Sequence, residues 1–476
     1  MFELMSYNNH IVDFINKLQD GEGKDYSVYF LGIGGIGMSA IARYFNNRGV
    51  KVSGFDKTET ELTKQLNNEG IAIHYEDDVD LIDKEAILVV YTPAIPNDHA
   101  EYNFYKENGF KIMKRSEVLG LITNSSFNIC VAGTHGKTTT STMIAHLLRD
   151  SEYGCNAFLG GIASNYQTNF WSDKNNTCVV EADEYDRSFL RLMPDIAVIT
   201  AVDADHLDIY GTEENFAEAF VEFTAKIKNE GLLICKKGLE TKVKFSKVRT
   251  ITYSLNDKNA DCYAENIRIS EGTYVFDMVI KGYVIVDIKL NMGGLHNIEN
   301  AVASIVIAHE IGINEEKIKN AVSSFKGVKR RFEYIIKNES MIMIDDYAHH
   351  PQELTALITS AKDLYKNKKC TVVFQPHLYS RTRDFAEGFA KALSLADEVF
   401  LLPIYPAREK PIEGVESEML AKKMKAIVEC CTKNDLLNKM IEKKKRKDLE
   451  LLIMAGAGDI DTLVLPIKDI LLDNLK

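Results

Sequence analysis

The chain has 476 residues, more than one ordinary hydrophobic core serves, and this length predicts about three domains. With 45% apolar and 26% charged residues, it has the composition of a globular protein. A net charge of −12 argues against a nucleic-acid binder, which needs a basic face, yet a local cluster of Lys, Arg and backbone N–H groups can still grip phosphate.

The opening residues, MFELMSYNNH, carry no basic segment followed by an apolar one, and no later run approaches a membrane span. Eight cysteines are scattered without a C-x-x-C pair, several inside apolar runs such as NICVAG, which predicts buried free thiols. A cytoplasmic protein is the expectation.

A first strand–helix module opens at SVYFLGIGGIGMSAIARYF and continues through VKVSGFD, IAIHY, AILVVYTPAI and FKIMKRS. Gly32-Ile33-Gly34-Gly35-Ile36-Gly37 is a full G-x-G-x-x-G between strand and helix, and Asp56 ends the next strand. Such a loop holds a pyrophosphate at a helix N-terminus, and such an acid grips a ribose diol. The pattern fits NAD or a UDP-sugar equally and does not choose between them.

A second module opens at FNICVAGTHGKTTTSTMIAHLLRD. Gly133, Thr134, His135, Gly136, Lys137, Thr138 and Thr139 stand between a strand and a helix, the context of a P-loop, although Val131 replaces the usual first glycine. Lys137 is expected at the β- and γ-phosphates of ATP, and the Thr138 hydroxyl on Mg²⁺. A chance Gly-Lys-Thr turn is the plain alternative. Acids at two strand ends, Glu181 to Glu184 after TCVV and Asp203, Asp205 and His206 after IAVITAV, favour a Mg-ATP site.

From Gly231 to Leu290 five short segments look like antiparallel strands of an insertion or side sheet. Helical spacing returns at HNIENAVASIVIAHEIGI, and a third module runs from MIMIDDYAHHP through TVVFQPH, EVFLLPIY and LLIMAGAG. The predicted domains are residues 1–124, 125–327 and 328–476. The run Lys443 to Arg446 reads as a solvated helix face.

In order and approximate spacing, GTHGKTTT, EADEYDRSFL, DADHLDIYG, HNIENA, Lys329 to Phe332 and DDYAHHP resemble the Mur ligase family. GIGGIGMSAIA, TPAIP and QPHLYSRTRDF point to its alanine-adding branch. The resemblance covers nearly the whole chain. It implies an α/β fold of three domains: Rossmann-like and UDP-binding, a central P-loop ATPase with a mostly parallel sheet plus a small antiparallel one, and a C-terminal Rossmann-like domain. It implies ATP-dependent coupling of L-alanine to UDP-N-acetylmuramate through an acyl phosphate, with two Mg²⁺ ions, by a monomer or weak homodimer.

Carried onto this chain, the resemblance implies that Lys137 neutralises the transferring phosphoryl group. Thr138 and Glu181 hold one Mg²⁺ and His206 a second. His296, Asn297 and Asn300 contact adenine and its surroundings, and Arg331 the phosphates. Gly32, Gly34, Gly35, Gly37, Met38, Ser39, Asp56, His74 and Thr92 meet the UDP-sugar. Asp346, Tyr347, His349, Arg381 and Arg383 line the site of the muramoyl carboxylate and amino acid.

Plainer readings stand beside these. Asp345 and Asp346 could end a strand and cap the turn after it, and Asn297 could cap its helix. His349 and His350 could hold a metal, and Arg381 and Arg383 could form surface ion pairs. No lysine occurs in NFAEAFVEF, where ligases for later amino acids carry a carbamoylated one and this chain has Phe220. Leu378 stands where related sequences often have arginine. A ligase that recycles a preformed tripeptide is the alternative within the family. Outside it stand a nicotinamide oxidoreductase and a protein in which ATP only drives closure.

Overall fold

A computed structural model of the chain describes residues 11–18, 23–203, 207–243, 248–407 and 409–472. Asp205 and His206, expected near the metal, lie outside the described residues.

The first domain is a parallel sheet of β1 (Ser27–Leu31), β2 (Lys51–Phe55), β3 (Ala72–His74), β4 (Leu88–Tyr91) and β5 (Ile112–Lys114), in the order β3-β2-β1-β4-β5. These are the five strands expected from sequence. The central β1 is buried at every position, as its unbroken apolar run requires when helices cover both faces. Because the strands run in parallel, Gly32, Asp56 and Thr92 emerge at one edge, where a ligand of this architecture binds.

The central domain is one ten-stranded sheet. Its strands are β6 (Phe127–Ala132), β7 (Asn156–Ala163), β8 (Thr168–Trp171), β9 (Thr177–Glu181), β10 (Ile196–Ile199), β11 (Leu232–Lys236), β12 (Arg249–Ser254), β13 (Cys262–Ser270), β14 (Thr273–Ile280) and β15 (Tyr283–Leu290). Their order is β15-β14-β13-β12-β11-β10-β6-β9-β7-β8. The antiparallel expectation for residues 231–290 needs correction. β11 and β12 pair in parallel with their neighbours and extend the main sheet, and only β13, β14 and β15 form an antiparallel meander. The pattern of apolar residues marks strands without fixing their direction. The helix Glu213–Thr224 between β10 and β11 is the crossover that a parallel pair demands.

In the third domain β16 (Glu333–Lys337), β17 (Ile342–Asp346), β18 (Cys370–Phe374), β19 (Glu398–Leu401), β20 (Ile427–Cys430) and β21 (Leu451–Ala455) form a sheet in the order β16-β17-β21-β18-β19-β20. All pairs are parallel except β16 with β17. All eight cysteines are unpaired, six of them buried. Among the described residues no helix is long and apolar enough to cross a membrane.

The domains are tied at their seams. One apolar cluster joins Phe14, Tyr44 and Phe45 of the first domain to Phe158 and Phe170 of the second. Within the same seam the buried Arg43 binds Glu69 through Nε and Nη2, at 2.8 and 2.7 Å, and also donates to Asn169. Asn169 in turn donates to the Ile36 carbonyl at 2.5 Å and to Ser39 Oγ at 3.0 Å. Toward the third domain, the linker pairs with the end of β7 through Lys329 N–H to Ile162 O and Ser164 N–H to Gly327 O.

Candidate active site

Gly133 and Gly136 adopt φ of +135° and +80°, conformations that side chains resist. At Gly136 a Cβ would also stand 2.8 Å from Asn300 Oδ1. The turn therefore closes tightly over the start of the helix Lys137–Asp150, whose first N–H groups have no partner within the helix and point at whatever the turn encloses.

Lys137 Nζ donates to the Gly133 carbonyl at 2.6 Å and to Glu184 Oε1 at 2.7 Å. Burial pushes the Glu184 carboxyl above its usual range, and the Lys137 charge opposes that push. Tyr210 fixes the acid from behind, its hydroxyl donating to the Glu184 carbonyl at 2.5 Å. Glu184 belongs to an acidic run noticed in the sequence, but its pairing with a lysine 47 positions away has no signature in spacing.

Thr138 Oγ1 donates to Glu181 Oε1 at 2.9 Å, and Gly160 N–H donates to Oε2 at 3.0 Å. Burial raises the Glu181 pKa, against the pull of Lys137 and Thr138. A hydroxyl and a carboxylate beside a phosphate-binding turn are donors that fit Mg²⁺, which keeps several waters and takes phosphate oxygens. Among the described residues no three His, Cys, Asp or Glu side chains cluster as a metal cage. Thr134 Oγ1 accepts from Asp203 N–H at 3.2 Å, and the exposed His135 lies 3.8 Å from the Asp203 carboxylate. Thr139 is buried.

The helix Leu295–Glu310 starts beside the turn. Asn297 Nδ2 donates back to the Gly293 carbonyl at 2.6 Å, and Asn300 Nδ2 donates to Asn297 Oδ1 at 3.1 Å. Thr140 Oγ1 donates to Asn300 Oδ1 at 3.2 Å, so both asparagines brace the P-loop helix from below. The cleft walls strip water from the His296 ring and lower its pKa, and the nearby Arg331 charge adds to this.

Across the cleft, Arg331 is exposed between Arg330 and Phe332, both at positive φ. Its guanidinium lies 5.7 Å from the Tyr347 ring centre. Asp346 accepts from the N–H groups of Phe332 and Ala348, both at 2.7 Å, and burial pushes it up to about 6. Asp345 is buried and pushed up to about 7, with Arg330 opposing the shift. Both acids end β17; Asp346 also braces the turn after it, whereas Asp345 meets Arg330 at 3.6 Å and keeps its buried Oδ1 without a hydrogen-bond partner.

His349 Nδ1 faces the Tyr347 carbonyl at 3.0 Å, and its ring lies 6.1 Å from that of His377. Burial lowers the His349 pKa, and Arg381 and Arg331 lower it further. Arg381 Nη1 is buried without a hydrogen-bond partner. Arg381 lies on the short helix Tyr379–Asp384, and Leu378, just before it, holds φ +70°. Arg383 is not brought to the cluster, since it is exposed and pairs with Asp384 at 2.8 Å. His350 caps the helix Pro351–Leu364 and packs on Phe385, which leaves no metal pair with His349.

In the first domain Gly34 N–H donates to Asp56 Oδ2 at 2.7 Å, so one carboxylate oxygen braces the glycine turn. His74 faces the Tyr29 hydroxyl at 2.7 Å and the Glu76 carbonyl at 2.8 Å. The Ser39 hydroxyl is buried and committed to Ile36 O and Asn169, at the domain seam. Between the glycine turn and the acids of the central domain lies a cavity of about 310 Å³, lined by Gly35, Gly37, Met38, Thr92, Glu181 and Asp183 among others. Arg115, to which no sequence motif points, stands in its wall.

Three family models match in succession: "Mur ligase family, catalytic domain" over residues 27–126, "Mur ligase middle domain" over 131–308, and "Mur ligase, glutamate ligase domain" over 330–458. The chain is 51% identical to the UDP-N-acetylmuramate–L-alanine ligase of Phocaeicola vulgatus, over 92% of this chain and 96% of that one. Its identity to the protein of the same name from Parabacteroides distasonis is 49%, over 94% and 98%. Among solved structures it resembles the UDP-N-acetylmuramate–alanine ligase of Thermotoga maritima, at a TM-score of 0.78 and 28% identity over 93% of this chain and 98% of that one. A murein peptide ligase of Psychrobacter arcticus, at 0.65 and 22% over 95% and 100%, shares the fold.

Proposed function

The chain belongs to the Mur ligase family, and from that premise we propose that it couples L-alanine to UDP-N-acetylmuramate at the expense of ATP, in the cytoplasm, as a step of peptidoglycan synthesis. The observation that carries this reading is one juxtaposition. Glu181, paired with Thr138 beside the Lys137–Glu184 pair at the start of the same helix, lines the cavity whose other wall is the glycine turn of the first domain. The chain that makes this arrangement is 51% identical to a named alanine ligase.

In this reading the substrate's diphosphate lies on the glycine turn, and its carboxylate points through the cavity at ATP on the P-loop. A carboxylate oxygen attacks the γ-phosphorus, the bond to the β-phosphate oxygen breaks, and ADP leaves. Lys137 exchanges Glu184 for phosphate oxygens and neutralises the charge that builds on them, the main lever in phosphoryl transfer. Thr138 and Glu181 would hold Mg²⁺, which supplies further neutralisation of the phosphates. Arg331 reaches the same oxygens from the third domain as a planar donor.

The alanine amine then attacks the acyl carbon, and the tetrahedral intermediate collapses with loss of phosphate and a proton. Arg381 takes the amino-acid carboxylate in this reading, which its buried, unpaired Nη1 supports. His349, its pKa lowered by burial, takes the amine's proton in this reading. The relatives named as alanine ligases favour this substrate over a preformed tripeptide.

An isotope tests the pathway. With the substrate carboxylate labelled by ¹⁸O, the released phosphate carries one labelled oxygen, because the C–O bond of the acyl phosphate breaks in the second step. Unlabelled phosphate accompanying product would contradict it.

A further inference from the structure

The cavity between the first two domains poses an electrostatic problem. A UDP-sugar brings a diphosphate and a carboxylate into it, yet the acids in its wall are Glu181 and Asp183. Two negative groups facing a ligand with three negative charges in a partly dehydrated cleft repel it strongly. Among the described residues lining the cavity, Arg115 is the one cation. It opens the helix Arg115–Thr123 at the end of β5, beside Lys114, which is itself paired with Asp186 at 3.3 Å.

The placement of Arg115 is built by the glycine turn. A Cβ on Gly37 would stand 2.7 Å from Arg115 Nη1, so the guanidinium lies against the third glycine of the G-x-G-x-x-G. On its other side Nη2 meets Asp183 Oδ2 at 3.5 Å, a single long contact where a guanidinium can make two short ones. With about a fifth of its side chain exposed, Arg115 is neither buried structure nor free surface. A larger cavity, about 960 Å³ around Arg48 and Asp173, holds none of the motif residues.

We propose that Arg115 binds the diphosphate of the UDP-sugar, exchanging its long contact with Asp183 for a charge-assisted pair with phosphate oxygens beside the turn. This role presupposes the UDP-sugar substrate proposed above. It gives the third glycine a second duty, making room for a guanidinium, and assigns Asp183 as the residue that parks Arg115 in the free enzyme. Lysine would keep the charge and lose the two-pronged geometry.

Calorimetric titration of the full chain with UDP and with UDP-N-acetylmuramate tests it, using wild type, Arg115→Gln, Arg115→Lys and Asp183→Asn. Arg115→Gln should weaken both ligands by about tenfold or more, with Arg115→Lys intermediate, while a non-hydrolysable ATP analogue binds as before. Asp183→Asn breaks the same interdomain contact but should leave UDP binding as tight or tighter. UDP affinity of Arg115→Gln within about threefold of wild type overturns the proposal, as does an equal loss in Asp183→Asn, which would mark a merely structural contact. Loss confined to UDP-N-acetylmuramate would move the contact to the carboxylate and overturn the diphosphate assignment. A wild type that binds neither ligand overturns the ligase reading along with this one.

Discussion

Lys137 and Glu184 show how a single pair sets up the chemistry. The acid holds the lysine in place, in the proposed mechanism until phosphate displaces it, and burial moves the acid toward neutrality. Lys137→Ala should therefore abolish ligation, by about a thousandfold or more, while the chain still folds because Glu184 can take up a proton. Turnover within tenfold of wild type, measured by phosphate release, would reject the role. A second buried acid titrates in the first domain, 3.6 Å from the His74 ring. Glu101 accepts from the Tyr29 hydroxyl at 2.6 Å with no exposure of its own, and burial pushes it up to about 7. Its folded pKa lies above its unfolded one, so the folded chain binds the extra proton. The stability this brings is complete below about pH 4.5 and is lost as pH rises through about 7. Glu101→Gln should remove that slope, worth on the order of 3 kcal/mol, from urea unfolding measured between those pH values. Lys137, Thr138 and Glu181 stand in local patterns that can be read from sequence. Arg115 and the partner of Lys137 do not, because their meaning comes from residues far along the chain.

The helix Ile36–Asn47 carries two loads. Its N-terminus faces the cavity between the first two domains, and its flank is held to the central sheet by Arg43, Ser39 and Asn169. Asn169→Ala leaves Arg43 and the seam with unmet hydrogen bonds in a buried place. It should cost about 2–4 kcal/mol by denaturant unfolding. A loss under about half a kcal/mol would show that the seam does not depend on this contact. Elements of this kind were legible as strands and helices from their spacing, and the first domain's five strands fell where expected. Direction was not legible for β11 and β12. Alternation tells which face of a strand is buried, whereas the crossover that makes neighbours parallel is a property of the connection. The hairpin strands β7 and β8 escaped notice too, since short stretches such as NAFLGGIA and TNFW offer little alternation to read.

Across the whole molecule, the proposed chemistry draws on all three domains: a glycine turn from the first, a P-loop and acids from the second, and Arg331, His349 and Arg381 from the third. The first two share a core and a buried polar tie, and the third packs on the second through another apolar cluster, beside a linker pinned to β7 by backbone hydrogen bonds. Movement of the third domain toward the other two is the expected response to substrate. Small-angle scattering should show a smaller radius with UDP-N-acetylmuramate and a non-hydrolysable ATP analogue together, and an unchanged radius would count against closure. The three-domain α/β architecture was legible because each domain begins a fresh run of strand, turn and helix. The seams, made by residues from opposite sides of a boundary, were not.

The most direct test is the reaction itself. The purified chain with Mg-ATP and UDP-N-acetylmuramate would receive L-alanine in one sample and a cell-wall tripeptide in another, with phosphate release and product mass measured together. Phosphate release with a mass gain of one alanine residue, in the first sample only, is the predicted result. Turnover only with the tripeptide would contradict the alanine assignment, and no turnover in either would contradict the ligase reading.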